Sequence, residues 1–211
     1  MAHITLLGDS IFDNKSYVGA NGKDVITHLR EFLPDDWQAI LCAVDGNVVE
    51  NVSGQLLKAP PETTHFFISV GGNDAIMNAD ILGMKANSSA EVFDVLSNRA
   101  SDFEFQYREM LKKVLSRNLP TAVCTIYYPR FPDPVLQKIA VAALSSFNDV
   151  IIRQATLNGI PILDLRLICS ENDDYANEIE PSSKGGEKIA GKILEVMKNH
   201  NFSNKRPSIY F

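Results

Sequence analysis

The feature that most constrains this chain is an alternation of two periodicities. Short apolar, β-branched runs recur at His3–Leu7, Gln38–Val44, His65–Val70, Thr121–Tyr127 and Ile160–Leu165. None alternates polar with apolar residues, as a strand with one wet face would, so each reads as a strand covered on both faces. Between them lie stretches with helical spacing: Lys23–Phe32, Glu91–Arg117, Val135–Asn158 and about Ser183–Lys198. The second aligns Phe93, Leu96, Phe103, Tyr107, Met110, Leu111 and Leu115, and the last aligns Ile189, Ile193, Leu194 and Val196. Strand alternating with helix predicts an α/β fold, a three-layer sandwich around a parallel sheet. About five strands in flavodoxin-like order 2-1-3-4-5, joined by right-handed crossovers, satisfy this pattern.

The chain's 211 residues suit a single domain over 1–211. Residues 199–211 form a polar C-terminal tail, and its closing Ile209, Tyr210 and Phe211 are expected to dock on the body or on a second copy in a homodimer. Pro60–Pro61 reads as a turn before the third strand, and Asn78–Asn87, the loosest stretch, is placed to cover a site. Twenty-six acidic against twenty basic residues, a net charge of −6, argue against a nucleic-acid partner, which needs a basic stripe to displace counterions. No uninterrupted run approaches the ~20 apolar residues of a membrane span. The opening MAHITLLGDS lacks the cationic leader and apolar run of a signal peptide. Cys42, Cys124 and Cys169 are odd in number and form no CxxC pair, so they read as thiols of a reducing cytoplasm rather than a disulfide frame or zinc site. With no HExxH, no His pair at ligand spacing, no Gly-x-Gly-x-x-Gly and no P-loop, neither a metal nor a nucleotide cofactor is expected. The Gly-x-Ser-x-Gly elbow is also absent; around Ser69 the chain reads Phe67-Ile68-Ser69-Val70-Gly71.

In an open parallel sheet, ligands bind beyond the carboxyl ends of the strands. The first strand is followed by Gly8-Asp9-Ser10 and Ile11-Phe12-Asp13-Asn14, the second by Asp45-Gly46-Asn47, and the third by Gly71-Gly72-Asn73-Asp74. A hydroxyl, a bare backbone amide and a side-chain amide thus meet at one edge. That is the inventory of acyl transfer: the serine attacks a carbonyl while N–H groups hold the oxyanion. Each block alone is ordinary turn and cap chemistry; their joint placement on consecutive strand ends singles them out. Asp9, Asp13, Asn47 and Asp74 are expected to line the approach to a small ester substrate, with Asp9 better suited to capping the next turn than to moving protons. Arg130, in Tyr128-Pro129-Arg130-Phe131 after the fourth strand, either meets an anionic substrate or is simply a cation on a loop. Asp164 and Arg166, ending the fifth strand, are expected to pair.

These blocks resemble those of the SGNH (GDSL-type) hydrolases. LLGDSIFDN is similar to the first conserved block, AVDGNVVENV to the second and SVGGNDA to the third. The last block of that family, an Asp-x-x-His before Pro and Ser, falls on Asn177-Glu178-Ile179-Glu180-Pro181-Ser182, so the resemblance runs from residue 4 to about 198. It implies the fold already reached from periodicity, and hydrolysis of an ester or thioester with Ser10 as nucleophile. It also implies an oxyanion hole made by the Ser10 and Gly46 amides and the Asn73 side chain.

The last block departs from that pattern, with Glu180 standing where the family has its His and Asn177 where it has its Asp. Four histidines are available, and none is placed to substitute. His3 and His65 begin strands, and at ~3.3 Å per residue they fall ~20 Å short. His200, beyond the last helix, is ~24 Å away at ~1.5 Å of rise per residue, and His28 lies more than a turn below the mouth. Glu180 is left as general base. An ordinary Glu, with a pKa of ~4.3, accepts a serine proton poorly, but burial beside apolar groups raises that value toward ~6–7. Neutral Asn177 fits, because a carboxylate needs no anionic orienter as an imidazolium does. Alternatives stay open: Glu180 as a solvated residue at the start of a helix whose first position is Pro181, Asp173 or Asp174 as the base, or a non-catalytic protein that binds a carboxylate or carbonyl ligand on the same scaffold.

Overall fold

A computed structural model describes all 211 residues. Strands and helices alternate as β1 (His3–Gly8), α1 (Val25–Phe32), β2 (Gln38–Leu41), α2 (Val52–Lys58), β3 (His65–Ser69), α3 (Gly72–Met77) and α4 (Ser89–Leu115). They continue as β4 (Thr121–Cys124), α5 (Pro134–Asn158), β5 (Ile162–Leu163), α6 (Leu165–Ile168), α7 (Ser183–Asn199) and β6 (Ile209–Tyr210). The sheet is parallel throughout, in the order β2-β1-β3-β4-β5-β6.

The unbroken apolar strands are explained by the two layers they separate. Ile4 and Leu6 of β1, Phe67 of β3 and Ala122 of β4 point to the layer of α1 and α7. Their neighbours Leu7, Phe66, Ile68 and Val123 point to the opposite layer, with α2, α4 and α5. Side chains alternate faces along a strand, so a strand buried on both sides is apolar at most positions, and a buried exception such as Thr5 is partnered, here with the Thr63 hydroxyl at 2.8 Å. The helices start where the sequence offers a cap. Asp24 accepts from the Thr27 amide, Ser88 from that of Glu91, and Asp133 from those of Val135 and Leu136 with Pro134 in the first turn.

The sheet has six strands rather than the five expected, because the tail docks on its own body: Ile209 pairs with Ile162 and Tyr210 with Leu163. A two-residue strand is too short to show any periodicity in sequence. β2 and β5 are shorter than their apolar runs. The ladder at β2 ends where the Cys42 and Ala43 amides both donate to Leu6 O, at 2.9 and 2.9 Å. Phe93 does not join the core and is 67% exposed. α4, with 27 residues, is ~40 Å long and its first turns project past the far shorter strands. By length and composition α5 has the character of a membrane-crossing helix, contrary to the expectation that no such stretch exists. In this fold it packs Leu144, Phe147, Val150 and Ile151 against the sheet and buries Asn148, whose side chain holds both the amide and the carbonyl of Ile126 at 2.8 Å.

Candidate active site

The carboxyl ends of β1 and β3 touch at Gly8. A Cβ there would lie 1.8 Å from Ser69 O, and the residue's φ is +129°, so only glycine closes this contact. The Asp9 amide then donates to Ser69 O at 3.0 Å, which fixes the start of the turn carrying Ser10. Asp9 caps that turn as expected, its Oδ1 accepting from the Ile11 amide at 3.2 Å.

Hydrogen bonds tie the second and third strand ends to the first. Gln55, from α2, receives the Gly8 amide on Oε1 at 2.7 Å and donates Nε2 to Gly8 O at 2.7 Å and to Asn47 Oδ1 at 2.9 Å. Gly46 sits in this loop at φ +77°, a conformation that suits a residue without a Cβ. Asn73 donates Nδ2 to Asn47 O at 2.9 Å, and Asp74 accepts the Val49 amide on both carboxylate oxygens, at 3.3 and 3.2 Å. Asp13 Oδ2 accepts the Asp45 amide at 3.0 Å.

Glu180 approaches from the other side, on the turn before α7. Asn177 Oδ1 accepts the amides of Ile179 and Glu180, at 2.9 and 2.9 Å, and the Tyr127 hydroxyl donates to Ile179 O at 2.6 Å. The helix begins at Ser183, where the spacing placed it, with Ser182 as its cap, so the alternative that makes Pro181 the first helical residue does not hold. Nor is Glu180 solvated: it is 6% exposed. Ser10 Oγ donates to Glu180 Oε1 at 3.1 Å, and Glu180 Oε2 is buried with no partner. Burial pushes the Glu180 carboxyl up to about 7; the Ser10 hydrogen bond opposes this, and the nearby Asp45 charge adds to it. Asp9 is buried more deeply and is pushed up to about 8, with Glu180 and Asp74 adding to the burial.

Asp9, Ser10, Asn73 and Glu180 share the wall of a cavity of ≈610 Å³ that runs under α4 and α5. Asp13, Asn47 and Asp74, expected on its wall, are instead engaged in the loop bonds above, and the Gly46 side also lies outside it. Arg130 turns away: its guanidinium donates to Ser170 O at 2.5 Å and stacks 4.9 Å over the Tyr175 ring. Asp174 is buried but pairs with Lys188 at 2.8 Å, and Asp173 is exposed with Lys184 3.9 Å away. No histidine reaches the wall, and the most buried of them, His28, shares a 3.1 Å hydrogen bond with Ser183 Oγ. Arg166 and Asp164 pair as expected. Sequence reasoning missed Tyr127, which lines the cavity and holds the turn of Glu180. Its run TAVCTIYY reads as a continuous strand, although β4 ends at Cys124.

A parallel α/β sandwich with these strand-end sequences beside a largely apolar cleft defines an esterase- or lipase-like hydrolase. The chain belongs to the GDSL-like lipase/acylhydrolase family, whose model matches residues 6–187. Among solved structures it is similar to the lipase Lip_vut3 from a goat rumen metagenome, with TM-score 0.70, 20% identity, and 92% of this chain and 97% of that one covered. It is similar to an extracellular lipase from Streptomyces rimosus, with TM-score 0.67, 15% identity, and 95% and 100% covered. The acetyl xylan esterase AlAXEase gives TM-score 0.66 at 18% identity, with 92% and 98% covered. Likeness at these identities shows the fold. No curated protein matches the chain in sequence.

Proposed function

We propose that this hydrolase cleaves an ester or thioester of a small substrate by acyl transfer to Ser10, with Glu180 doing the work of the missing histidine. The observation that carries this reading is the buried hydrogen bond from Ser10 Oγ to Glu180 Oε1, 3.1 Å long, in a site where no imidazole competes. In the first half-reaction Ser10 Oγ bonds to the substrate carbonyl carbon while its proton passes to Glu180. The carbonyl oxygen takes the negative charge and meets the Ser10 and Gly46 amides. It also meets the second N–H of Asn73, whose first is engaged by Asn47. Collapse breaks the bond to the leaving oxygen or sulfur, which takes the proton from Glu180. Water then attacks the acyl-serine, losing a proton to Glu180; collapse breaks the bond from the acyl carbon to Ser10 Oγ, which takes that proton back from Glu180 as the acid is released.

A base with a pKa near the working pH combines adequate basicity with a useful fraction ionised, and burial puts Glu180 there, at about 7. Asn177 supports it through the backbone alone, by accepting the amides of residues 179 and 180. The test is labelling by a fluorophosphonate together with turnover of a p-nitrophenyl ester. The wild-type protein is expected to be labelled at Ser10, and the folded Glu180→Gln variant to lose both labelling and turnover. Unchanged turnover in Glu180→Gln would remove Glu180 from the mechanism. An inert Ser10 in a protein that still binds carboxylates or carbonyl compounds would instead favour the binding protein.

A further inference from the structure

We propose that Tyr127 is a positioning residue for the base, and that Tyr175 and Arg130 hold it in that role from outside the cavity. This rests on the assignment of Glu180 as base. Ala176, Asn177 and Glu178 are exposed, so the approach to Glu180 has no apolar anchor of its own. Bonds inside the turn set its shape: Asn177 Oδ1 accepts the amides of residues 179 and 180, and the Ala176 amide donates to Glu180 O at 2.8 Å. None of these fixes where that shape sits relative to Ser10.

Place is set by three bonds from other loops. Asn14 Nδ2 donates to Pro181 O at 3.1 Å, the Arg130 amide to Glu178 O at 2.8 Å, and the Tyr127 hydroxyl to Ile179 O at 2.6 Å. Of these three residues, Tyr127 alone also lines the cavity with Ser10 and Glu180. Burial, with the Glu180 charge adding, holds its phenol well above the ordinary tyrosine pKa, so the hydroxyl stays a donor. A second layer packs behind the ring. Tyr175 meets it edge to face, with ring centres 4.9 Å apart at 70°. The Tyr175 hydroxyl is shared between Tyr128 O at 2.9 Å and Cys169 O at 2.8 Å, and the Arg130 guanidinium lies 4.9 Å from its ring centre. Arg130 pairs with no carboxylate, and its Nε is buried without a partner. An unsatisfied donor costs stability, so this guanidinium is placed for its flat face rather than for a charge partner. Arg130, Tyr175 and Tyr127 thus form one chain of contacts ending on the carbonyl that precedes Glu180. Proton transfer from Ser10 depends on the 3.1 Å approach of that carboxylate, and a misplacement of about 1 Å at a reacting group costs up to about 10²-fold.

The first measurement is steady-state turnover of p-nitrophenyl acetate by Tyr127→Phe, with folding checked by circular dichroism. The ring stays and only the bond to Ile179 O is lost, so kcat is expected to fall about tenfold with KM within about twofold of wild type. Water reaching the loosened carboxyl lowers its pKa from about 7, so the acid limb of kcat/KM is expected to move down by about half a pH unit or more. A tyrosine that merely stabilised the fold would leave that limb in place. Arg130→Lys keeps the charge and loses the flat face, and is expected to change kcat and the limb in the same direction, by about threefold in kcat. It carries the test if Tyr127→Phe does not fold. Unchanged kcat and an unmoved limb in a folded Tyr127→Phe would overturn the proposal. The double variant Tyr127→Phe/Glu180→Gln is expected to be no slower than Glu180→Gln alone, because the residue being positioned is gone. A further tenfold loss there would mean that Tyr127 acts without Glu180, and would also overturn it. Full turnover by Glu180→Gln alone would sink the underlying assignment of the base. Loss in Glu180→Gln with none in Tyr127→Phe would leave the base standing and remove only its brace.

Discussion

The two flanks of Ser10 are built on opposite principles. On the flank of Gly46 and Asn73, every side chain that matters is partnered: Gln55 clamps Gly8 and Asn47, Asn73 holds Asn47 O, and Asp74 holds the Val49 amide. On the other flank Glu180 is as buried as a core residue, yet one of its oxygens has no partner at all. A buried polar atom without a hydrogen bond costs stability, and a buried carboxylate answers by holding its proton more tightly. The satisfied flank gives fixed geometry, and the unsatisfied flank gives a carboxyl whose proton is exchangeable near neutral pH. Acyl transfer needs both: donors that do not move and a base that is not already content.

The contrast is broken most severely by removing the proposed base. In Glu180→Gln, kcat is expected to fall by about 10³, within the usual range for a lost general base, as measured by steady-state ester turnover. Disturbing the rigid flank costs less. Asn73→Ala is expected to lower kcat by about 10² with little change in KM, because in the proposed mechanism its amide meets charge that exists only in the transition state; a KM effect alone would move Asn73 from oxyanion to substrate. Restoring the family pattern tests the opposite direction. In Glu180→His with Asn177→Asp, an oxygen of the introduced carboxylate can still accept the amides that Asn177 accepts, so the turn is retained. Turnover is then expected to rise about tenfold, and no gain would mean that this turn is shaped for a carboxylate.

The pH dependence sharpens the comparison further. With Glu180 as the proposed base its ionised form is the active one, so kcat/KM is expected to rise with pH through about 7. Above about 8, ionised Asp9 places a second negative charge beside the site where an oxyanion must develop, so the rate is expected to fall. Asp9→Asn removes that fall, for a gain of a few-fold at about pH 9, read from the pH–rate profile. The smallest effect is on stability. The Glu180 carboxyl is raised from 4.5 to about 7, so below 4.5 folded and unfolded states are both protonated and it contributes nothing. Between those values the unfolded chain loses its proton first, and above about 7 the cost to the fold is complete. Allowing for solvent reaching the cavity, Glu180→Gln is expected to be about 1–2 kcal/mol more stable than wild type at about pH 8.5 and equal to it at about pH 4, by denaturant unfolding.

The strand–helix alternation pointed to the parallel sandwich and to the order of its first five strands, because strands buried on both faces are apolar at most positions. It also placed Ser10, Gly46 and Asn73 on one edge, since strand ends in such a sheet converge whatever the loops do. The position of Glu180 in the last block singled it out, and the four histidines were excluded by distance along their own elements. Other properties are decided between segments far apart in sequence. Burial of Glu180 depends on Tyr127 and Asn177 fixing its turn. Arg130 leaves the site because Tyr175 and Ser170 offer its guanidinium a better face, and Asp13 and Asp74 find backbone amides of neighbouring loops. The sixth strand exists because β5 presents an open edge to a tail that meets it with only two residues. A sequence states which groups are present and how they are spaced. Solvation and partnership, which set the charge of a carboxyl and the use of a cation, belong to the packed chain.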